Sequence, residues 1–398
     1  MKKILVIAST APSSGGSYQY VHTLLSSLAY IDPKRFSFSV WAADREWESI
    51  LQKMGLRQAR KPRFGHYKIL TLLQRIPLAA LRDKLVSLWS KLDPLYVYIR
   101  LNQIDAVIIP DQYSLPLSKN VRQIACIHDL MHLYEKRFPE VGADEQVRSR
   151  DEGFSQILSR CSGVLVDSTL AVRQVVDSYE ASPDKLFPLP FALYDSLLGC
   201  HPERPRQLAP NYDGNYLFYP AQFWLHKNHV SLLDAVNKLP KELDIHCVFT
   251  GGAEKNGSSA ITTAIERLAL ASRVQILGFV SINELAWLYT HARCMVMPTF
   301  FGPTNIPPLE AMHFGCPVAV SGIYGMPDQL GDAALYFRPD DVDDMANVIQ
   351  TLWLDEDVRK ILIQKGTVRA SRATAKYFGE SFSEILKTVF SDGIAGER

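Results

Sequence analysis

Twelve short apolar runs, at 3–8, 36–42, 105–109, 123–127, 163–167, 186–190, 215–219, 245–250, 273–277, 293–297, 317–320 and 334–337, alternate with amphipathic stretches along this 398-residue chain. Runs this short and this uniformly apolar are strands buried on both faces, and the helical patterns between them make βα units on mainly parallel sheets. The alternation resets once. Between Cys200 and Tyr216 the chain turns polar and proline-rich, with His201-Pro202-Glu203-Arg204-Pro205 followed by Pro210-Asn211-Tyr212-Asp213-Gly214, the mark of an exposed linker. The expected fold class is α/β, with two doubly wound domains, 1–203 and 204–375, each large enough to bury its own core. Tyr377, Phe378, Phe382, Ile385, Leu386, Val389 and Phe390 recur at helical spacing, so 376–398 is expected to contain a closing helix. Two such sheets facing each other leave a cleft at the carboxyl ends of their strands, where open α/β sheets bind ligands.

Composition narrows the class of partner. With 47% apolar and 21% charged residues, disordered and collagen-like chains are excluded, and 43 basic against 42 acidic side chains do not point to nucleic acid. Six widely spaced cysteines without a CxxC pair fit small core residues in a reducing compartment. The opening Met1-Lys2-Lys3 with Ile4 to Ala8 reads as a first buried strand, since five apolar residues are too few for a signal peptide. No run approaches the ~20 apolar residues of a membrane-spanning helix. Residues 57–91 carry nine Lys/Arg against Asp83 alone, interleaved with leucines. Such a segment fits either a peripheral contact with an anionic membrane surface or an exterior helix pair with solvated basic faces.

Three loops carry chemistry. Gly15-Gly16 follows the first strand and precedes a helical pattern, so backbone N–H groups there can approach an anion, although a plain tight turn has the same signature. Tyr219-Pro220-Ala221-Gln222-Phe223-Trp224-Leu225-His226-Lys227-Asn228-His229 follows the first strand of the second domain, which places Lys227 to neutralise a phosphate in the cleft. Pro298-Thr299-Phe300-Phe301-Gly302-Pro303-Thr304-Asn305-Ile306-Pro307-Pro308-Leu309-Glu310 runs from a strand into a helix whose first turn suits the two prolines. Glu310 then falls about one turn into that helix, near the mouth of the cleft, as a hydroxyl-binding carboxylate or as a partner of the helix dipole. Asp340-Asp341-Val342-Asp343-Asp344 imitates a metal-binding DxD motif, but its place ahead of a helix reads as capping.

With these residues in view, the chain resembles a retaining glycosyltransferase of family 4, of GT-B architecture. The further landmarks are Leu277-Gly278-Phe279-Val280, Glu284-Leu285 and Gly331-Asp332-Ala333-Ala334. The resemblance implies two Rossmann-like domains facing across a cleft, with a C-terminal helix returning to the first. It implies that Lys227 binds the donor diphosphate, that Glu310 holds the ribose hydroxyls, and that His128, in Ile127-His128-Asp129-Leu130, contacts the transferred sugar. Gly278, Phe279 and Val280 would edge the nucleobase, Pro303, Thr304, Asn305 and Ile306 would hold sugar and phosphate, and Gly15, Gly16 and Gln222 would lie close to the reaction centre. Two positions depart from the family pattern. Gly302 stands where a first glutamate is frequent, and Gln222 where an arginine is usual, so Asn305, Thr304 or main-chain amides are left to contact the sugar.

The implied partners are a nucleotide-sugar donor, with GDP-mannose first and dTDP-rhamnose and UDP-sugars behind it, and a lipid-linked or saccharide acceptor. The implied setting is bacterial surface-polysaccharide assembly, such as lipopolysaccharide O-antigen or capsule, in the cytoplasm, with 57–91 available to the inner face of the membrane. No cofactor and no metal are expected, because Lys227 and helix-terminal amides would meet the diphosphate charge. Two other readings stand beside this one: a GT-B-fold sugar-nucleotide epimerase, and a catalytically degenerate nucleotide-sugar-binding subunit.

Overall fold

A computed structural model describes residues 1–10, 15–42, 46–59, 93–118, 120–212, 215–252 and 255–391. The first six strands, β1 (Lys2–Ala8), β2 (Phe36–Ala42), β3 (Ala106–Ile109), β4 (Arg122–Cys126), β5 (Gly163–Val166) and β6 (Leu186–Pro188), form one sheet in the order β2-β1-β3-β4-β5-β6. The next six, β7 (Tyr216–Pro220), β8 (His246–Thr250), β9 (Val274–Gly278), β10 (Cys294–Met297), β11 (Val318–Ser321) and β12 (Leu335–Phe337), form the other in the order β12-β11-β10-β7-β8-β9. Every pairing recorded is parallel. All twelve expected runs are strands, displaced by two residues or fewer at every end.

The central strand β1 shows why these runs are uniformly apolar. Ile4 to Ala8 are wholly buried; Ile4, Val6 and Ala8 join the core on one face, while Leu5 and Ile7 join the core on the other. Successive side chains of a strand point to opposite faces, so a sheet covered on both sides needs apolar residues at every position. Edge strand β9 is covered less completely, with Ile276 exposed.

The helix Ala375–Ser391 follows the second domain in sequence but packs on the first, where Phe378, Phe382, Ile385, Leu386 and Val389 lie in the core with Ile4 and Val6. The opposite passage occurs near 189–193: Leu189 and Ala192 belong to the first core, Leu193 and Leu197 to the second. These two crossings touch, because the Leu193 N–H donates to the Ala373 carbonyl at 2.9 Å.

The acidic run at 340–344 is used for capping. Asp341 accepts from the N–H groups of Asp343 and Asp344 at the start of the helix Val342–Leu354, and Asp344 accepts from Arg338 N–H. Among the described residues no group of three or more His, Cys, Asp or Glu could hold a metal ion, and no helix is long and apolar enough to cross a membrane. All six cysteines are free, and all but Cys200 are buried. Most of the basic segment 57–91 lies outside the described residues, and the membrane-surface reading lies there with it.

Candidate active site

Each sheet reverses its strand order once, between β1 and β3 in the first and between β7 and β10 in the second. Ligands of open α/β sheets settle at such reversals, because the loops diverge there and leave a crevice. Both crevices open onto one cavity of about 390 Å³. Its lining joins Gly15 and Gly16 after β1, Gln112 after β3, His128 and Asp129 after β4, Gln222 and Lys227 after β7, and Thr304, Asn305 and Ile306 after β10. A second cavity of about 320 Å³ shares the wall formed by His128, Asp129, Lys227 and Asn305, and continues past Glu140, Arg150, Phe301, Gly302 and Pro303.

Lys227 ends a 3-10 turn, Leu225–Lys227, whose main chain is fixed from two sides. The Tyr219 hydroxyl donates to the Lys227 carbonyl at 3.0 Å, and Asn228, at φ +61, donates through Nδ2 to the carbonyls of Pro298 and Pro339. Burial pulls the ammonium down to about 8, against an opposing pull from Asp129. That carboxylate is engaged elsewhere: Asp129 Oδ1 lies 2.5 Å from Arg150 Nη2 and accepts from Met131 N–H. Among the described residues no carboxylate stands within ion-pair distance of Lys227. A desolvated cation without a counter-ion, facing a cavity, is a site for an anion.

His128 forms part of the wall between the two cavities. Burial lowers its pKa, so the ring is neutral, and its Nε2 finds no hydrogen-bond partner among the described residues. The Tyr20 ring packs edge-on against it at 4.6 Å and fixes the imidazole plane. A fixed neutral imidazole with one free nitrogen can exchange a hydrogen bond with a hydroxyl.

Glu310 does not lie open at the mouth. It is 3% exposed in the helix Pro307–His313, where Oε2 accepts from the Tyr289 hydroxyl at 2.8 Å and Oε1 from Gln19 Nε2 at 3.3 Å. The turn that starts at Ile306 directs the side chain back toward the helix Ile282–His291, and Gln19 covers it from the first domain. Burial raises its pKa to about 7, against the lowering effect of the Tyr289 and Gln19 hydrogen bonds. A carboxyl that releases its proton near 7 in the fold and near 4.5 in the open chain removes stability as pH rises through that window, by up to about 3 kcal/mol. Glu310→Gln carries no such titration. The difference in denaturation midpoint between wild type and Glu310→Gln is therefore expected to move against the wild type between pH 4.5 and 8; a constant difference would assign Glu310 an ordinary pKa.

Other expected residues divide between wall and rim. Gly15 caps the helix Gly16–Ser27 at φ +59, and a Cβ there would sit 3.7 Å from Gln222 Nε2, so the Gln222 side chain reaches the first-domain loop. Gln222 Oε1 accepts from Trp224 Nε1. Gly278, Phe279 and Val280 lie at the end of β9, outside both linings; the Phe279 ring, 74% exposed, stands beside Gly252 and toward Gln222. Thr304 is at the wall, but its hydroxyl donates across the cleft to Asp167, which burial pushes up to about 6.

The sequence did not point to the groups that reach over the cleft. Glu140 accepts from both the main-chain N–H and the Nδ1–H of His226, at 2.9 and 2.7 Å. Burial and the adjacent Lys227 hold that imidazole neutral, which makes Nδ1–H the donor. Tyr324 donates to Glu135, and the Arg137 guanidinium lies against the rings of Phe138 and Phe300. Together with Gln19 and Asp167, these contacts join the two halves on several sides of the cavities.

The two facing six-stranded parallel sheets, with the last helix returned to the first, are the GT-B architecture. Residues 201–369 match the family model of the Glycosyl transferases group 1 and form a domain of that group; the chain is a glycosyltransferase. It is 25% identical over 314 residues to O-antigen chain mannosyltransferase B of Escherichia coli, across 77% of this chain and 80% of that one. In fold it matches sucrose-phosphate synthase of Thermosynechococcus elongatus with a TM-score of 0.71 at 17% identity, covering 98% of this chain and 100% of that one. It matches Anabaena HepE in complex with UDP and glucose with a TM-score of 0.69 at 18% identity, covering 97% and 100%.

Proposed function

We propose that this chain is a retaining, family 4 glycosyltransferase that moves a hexose, first mannose from GDP-mannose, to a lipid-linked or saccharide acceptor in bacterial surface-polysaccharide assembly. The observation that carries the reading is Lys227, a desolvated cation on the wall shared by two cavities with no counter-ion among the described residues. The relative named as an O-antigen chain mannosyltransferase supports the sugar and the setting, and the neighbour solved with UDP and glucose supports a nucleotide-sugar donor.

In this reading the donor lies in the larger cavity with its diphosphate at Lys227 and its base toward Phe279. The acceptor hydroxyl arrives through the second cavity, past Glu140, Arg150 and Phe301. The bond from the anomeric carbon to the phosphate oxygen breaks, the bond to the acceptor oxygen forms on the same face, and the acceptor proton passes to the departing phosphate. Lys227 meets the charge that grows on that leaving group, the main electrostatic task of the step. His128 takes a hydrogen bond from, or gives one to, the sugar as it flattens.

Calorimetry of GDP, UDP and dTDP without added metal, on wild type and Lys227→Ala, tests the reading. One nucleotide is expected to bind selectively and to lose at least tenfold in affinity in the variant. Binding of none overturns the donor site and favours a non-catalytic partner subunit, and equal binding by the variant overturns the placing of the diphosphate at Lys227.

A further inference from the structure

The loop from β10 to the helix Pro307–His313 holds an arrangement that the reading above leaves unused. Gly302, at φ +106, is the one residue of that loop in the left-handed region. A Cβ at this position would stand 2.6 Å from Asn305 Nδ2 and 2.9 Å from Asn305 Oδ1. The space in which any larger side chain at 302 would begin is thus filled by the Asn305 carboxamide.

Asn305 is seated there by a second amide. Its N–H donates to Gln329 Oε1 at 2.9 Å, and its carbonyl accepts from Gln329 Nε2 at 2.8 Å, a two-point grip that fixes both position and tilt. Gln329 belongs to the short helix Met326–Leu330, which Arg369 ties down by donating to the main-chain carbonyls of Asp328 and Gln329. The grip therefore depends on the Gln329 side chain, while the helix beneath it does not.

The Asn305 carboxamide itself is barely engaged. Nδ2 has a long contact of 3.5 Å to the Gly302 carbonyl and a 3.4 Å contact to Met326 Sδ, a weak thioether acceptor, and Oδ1 has no partner among the described residues. Asn305 is nonetheless a residue of the wall common to both cavities, with Lys227 and His128. Its neighbour Thr304 has its hydroxyl committed to Asp167. Of the side chains in this loop, Asn305 is the one with hydrogen-bonding capacity to offer, and a carboxamide can accept from one sugar hydroxyl while donating to the next.

We propose that the Asn305 carboxamide, lodged over Gly302 and gripped by Gln329, reads the hydroxyl configuration of the transferred sugar, with Gln329 as its positioning residue. This rests on the glycosyl-transfer reading above. A site built to pair a particular hydroxyl discriminates steeply against a sugar that lacks it there, because its own polar group is then left unpaired. Losing the grip loosens Asn305 and blunts that discrimination without touching the diphosphate contact.

The test compares donor hydrolysis, which needs no acceptor, for two sugars epimeric at one carbon on the nucleotide that calorimetry selects: GDP-mannose and GDP-glucose, UDP-glucose and UDP-galactose, or dTDP-glucose and dTDP-galactose. Wild type is expected to prefer one of the pair in kcat/KM. Gln329→Ala, which removes both contacts, is expected to lower that preference at least tenfold. Gln329→Glu keeps the acceptor for Asn305 N–H but sets a carboxylate against the Asn305 carbonyl, and is expected to lower it as well. Both variants should bind the free nucleoside diphosphate within twofold of wild type. A wild type indifferent to the pair, or variants that slow both sugars equally, overturns the proposal. If no nucleotide binds, the donor reading itself fails, a result separate from any effect at Gln329.

Discussion

Lys227→Ala is expected to lower turnover at least ~10²-fold, since one preorganised charge contact to a developing anion is worth roughly 3 kcal/mol. The same substitution should leave the melting temperature of the unliganded protein unchanged or higher. Burial holds the Lys227 ammonium down to about 8, so at neutral pH the fold carries a charge that the open chain solvates better. The sign follows from proton counting. Between about 8 and the ordinary 10.5 the folded state binds fewer protons than the unfolded one, so wild-type stability rises with pH across that window, and the alanine variant should lack the rise. Initial rates, nucleotide calorimetry and melting curves at pH 7 and 10 measure all of this on one preparation. Near-normal turnover would remove Lys227 from the chemistry, and a fall in both turnover and melting temperature would assign it to packing.

Gly257→Ala is expected to destabilise the protein by about 3 kcal/mol, lowering Tm by roughly 5–10 °C. Gly257 lies in the helix Lys255–Arg267, where alanine normally stabilises by about 1 kcal/mol relative to glycine. Here the methyl group would overlap the carbonyl oxygen of Phe223, with Trp224 N 3.3 Å away. No rotamer change relieves a clash between a Cβ and a backbone oxygen, so the helix or the loop must shift. That loop runs on through the turn Leu225–Lys227, and turnover is expected to fall with stability. A variant more stable than wild type would show that the helix does not press on the loop.

The parts of this molecule that sequence could reveal are those governed by neighbours along the chain. The apolar runs located every strand of the described residues, and the loops after β1, β7 and β10 were recognisable because glycine, proline and lysine sit directly behind strands. What it could not reveal is which distant groups meet. Gln19 reaches Glu310 across 291 positions, Asp167 reaches Thr304 across 137 and Glu140 reaches His226 across 86. No periodicity encodes such pairs, because they depend on how one sheet is set against the other. Glu310 was recognisable as a carboxylate in a first turn, but its burial under Tyr289 and Gln19 was not, since neither neighbour lies near it in sequence. Asn305 and Gln329, only 24 positions apart, were equally hidden, because a two-point amide grip has no compositional signature.

The main-chain bond between Leu193 and Ala373 brings the outgoing and returning chain together at a single spot. Two pins set apart make a door, which swings in one plane; two pins at one place make a ball joint, which settles where the upper half pivots and leaves the plane open. The plane is then chosen by the side chains that bridge the gap: Gln19 on one flank, Glu140 and Glu135 on another, Asp167 close to the pivot. Each of them restrains the direction in which the halves settle, which is a separate matter from how far apart they stand.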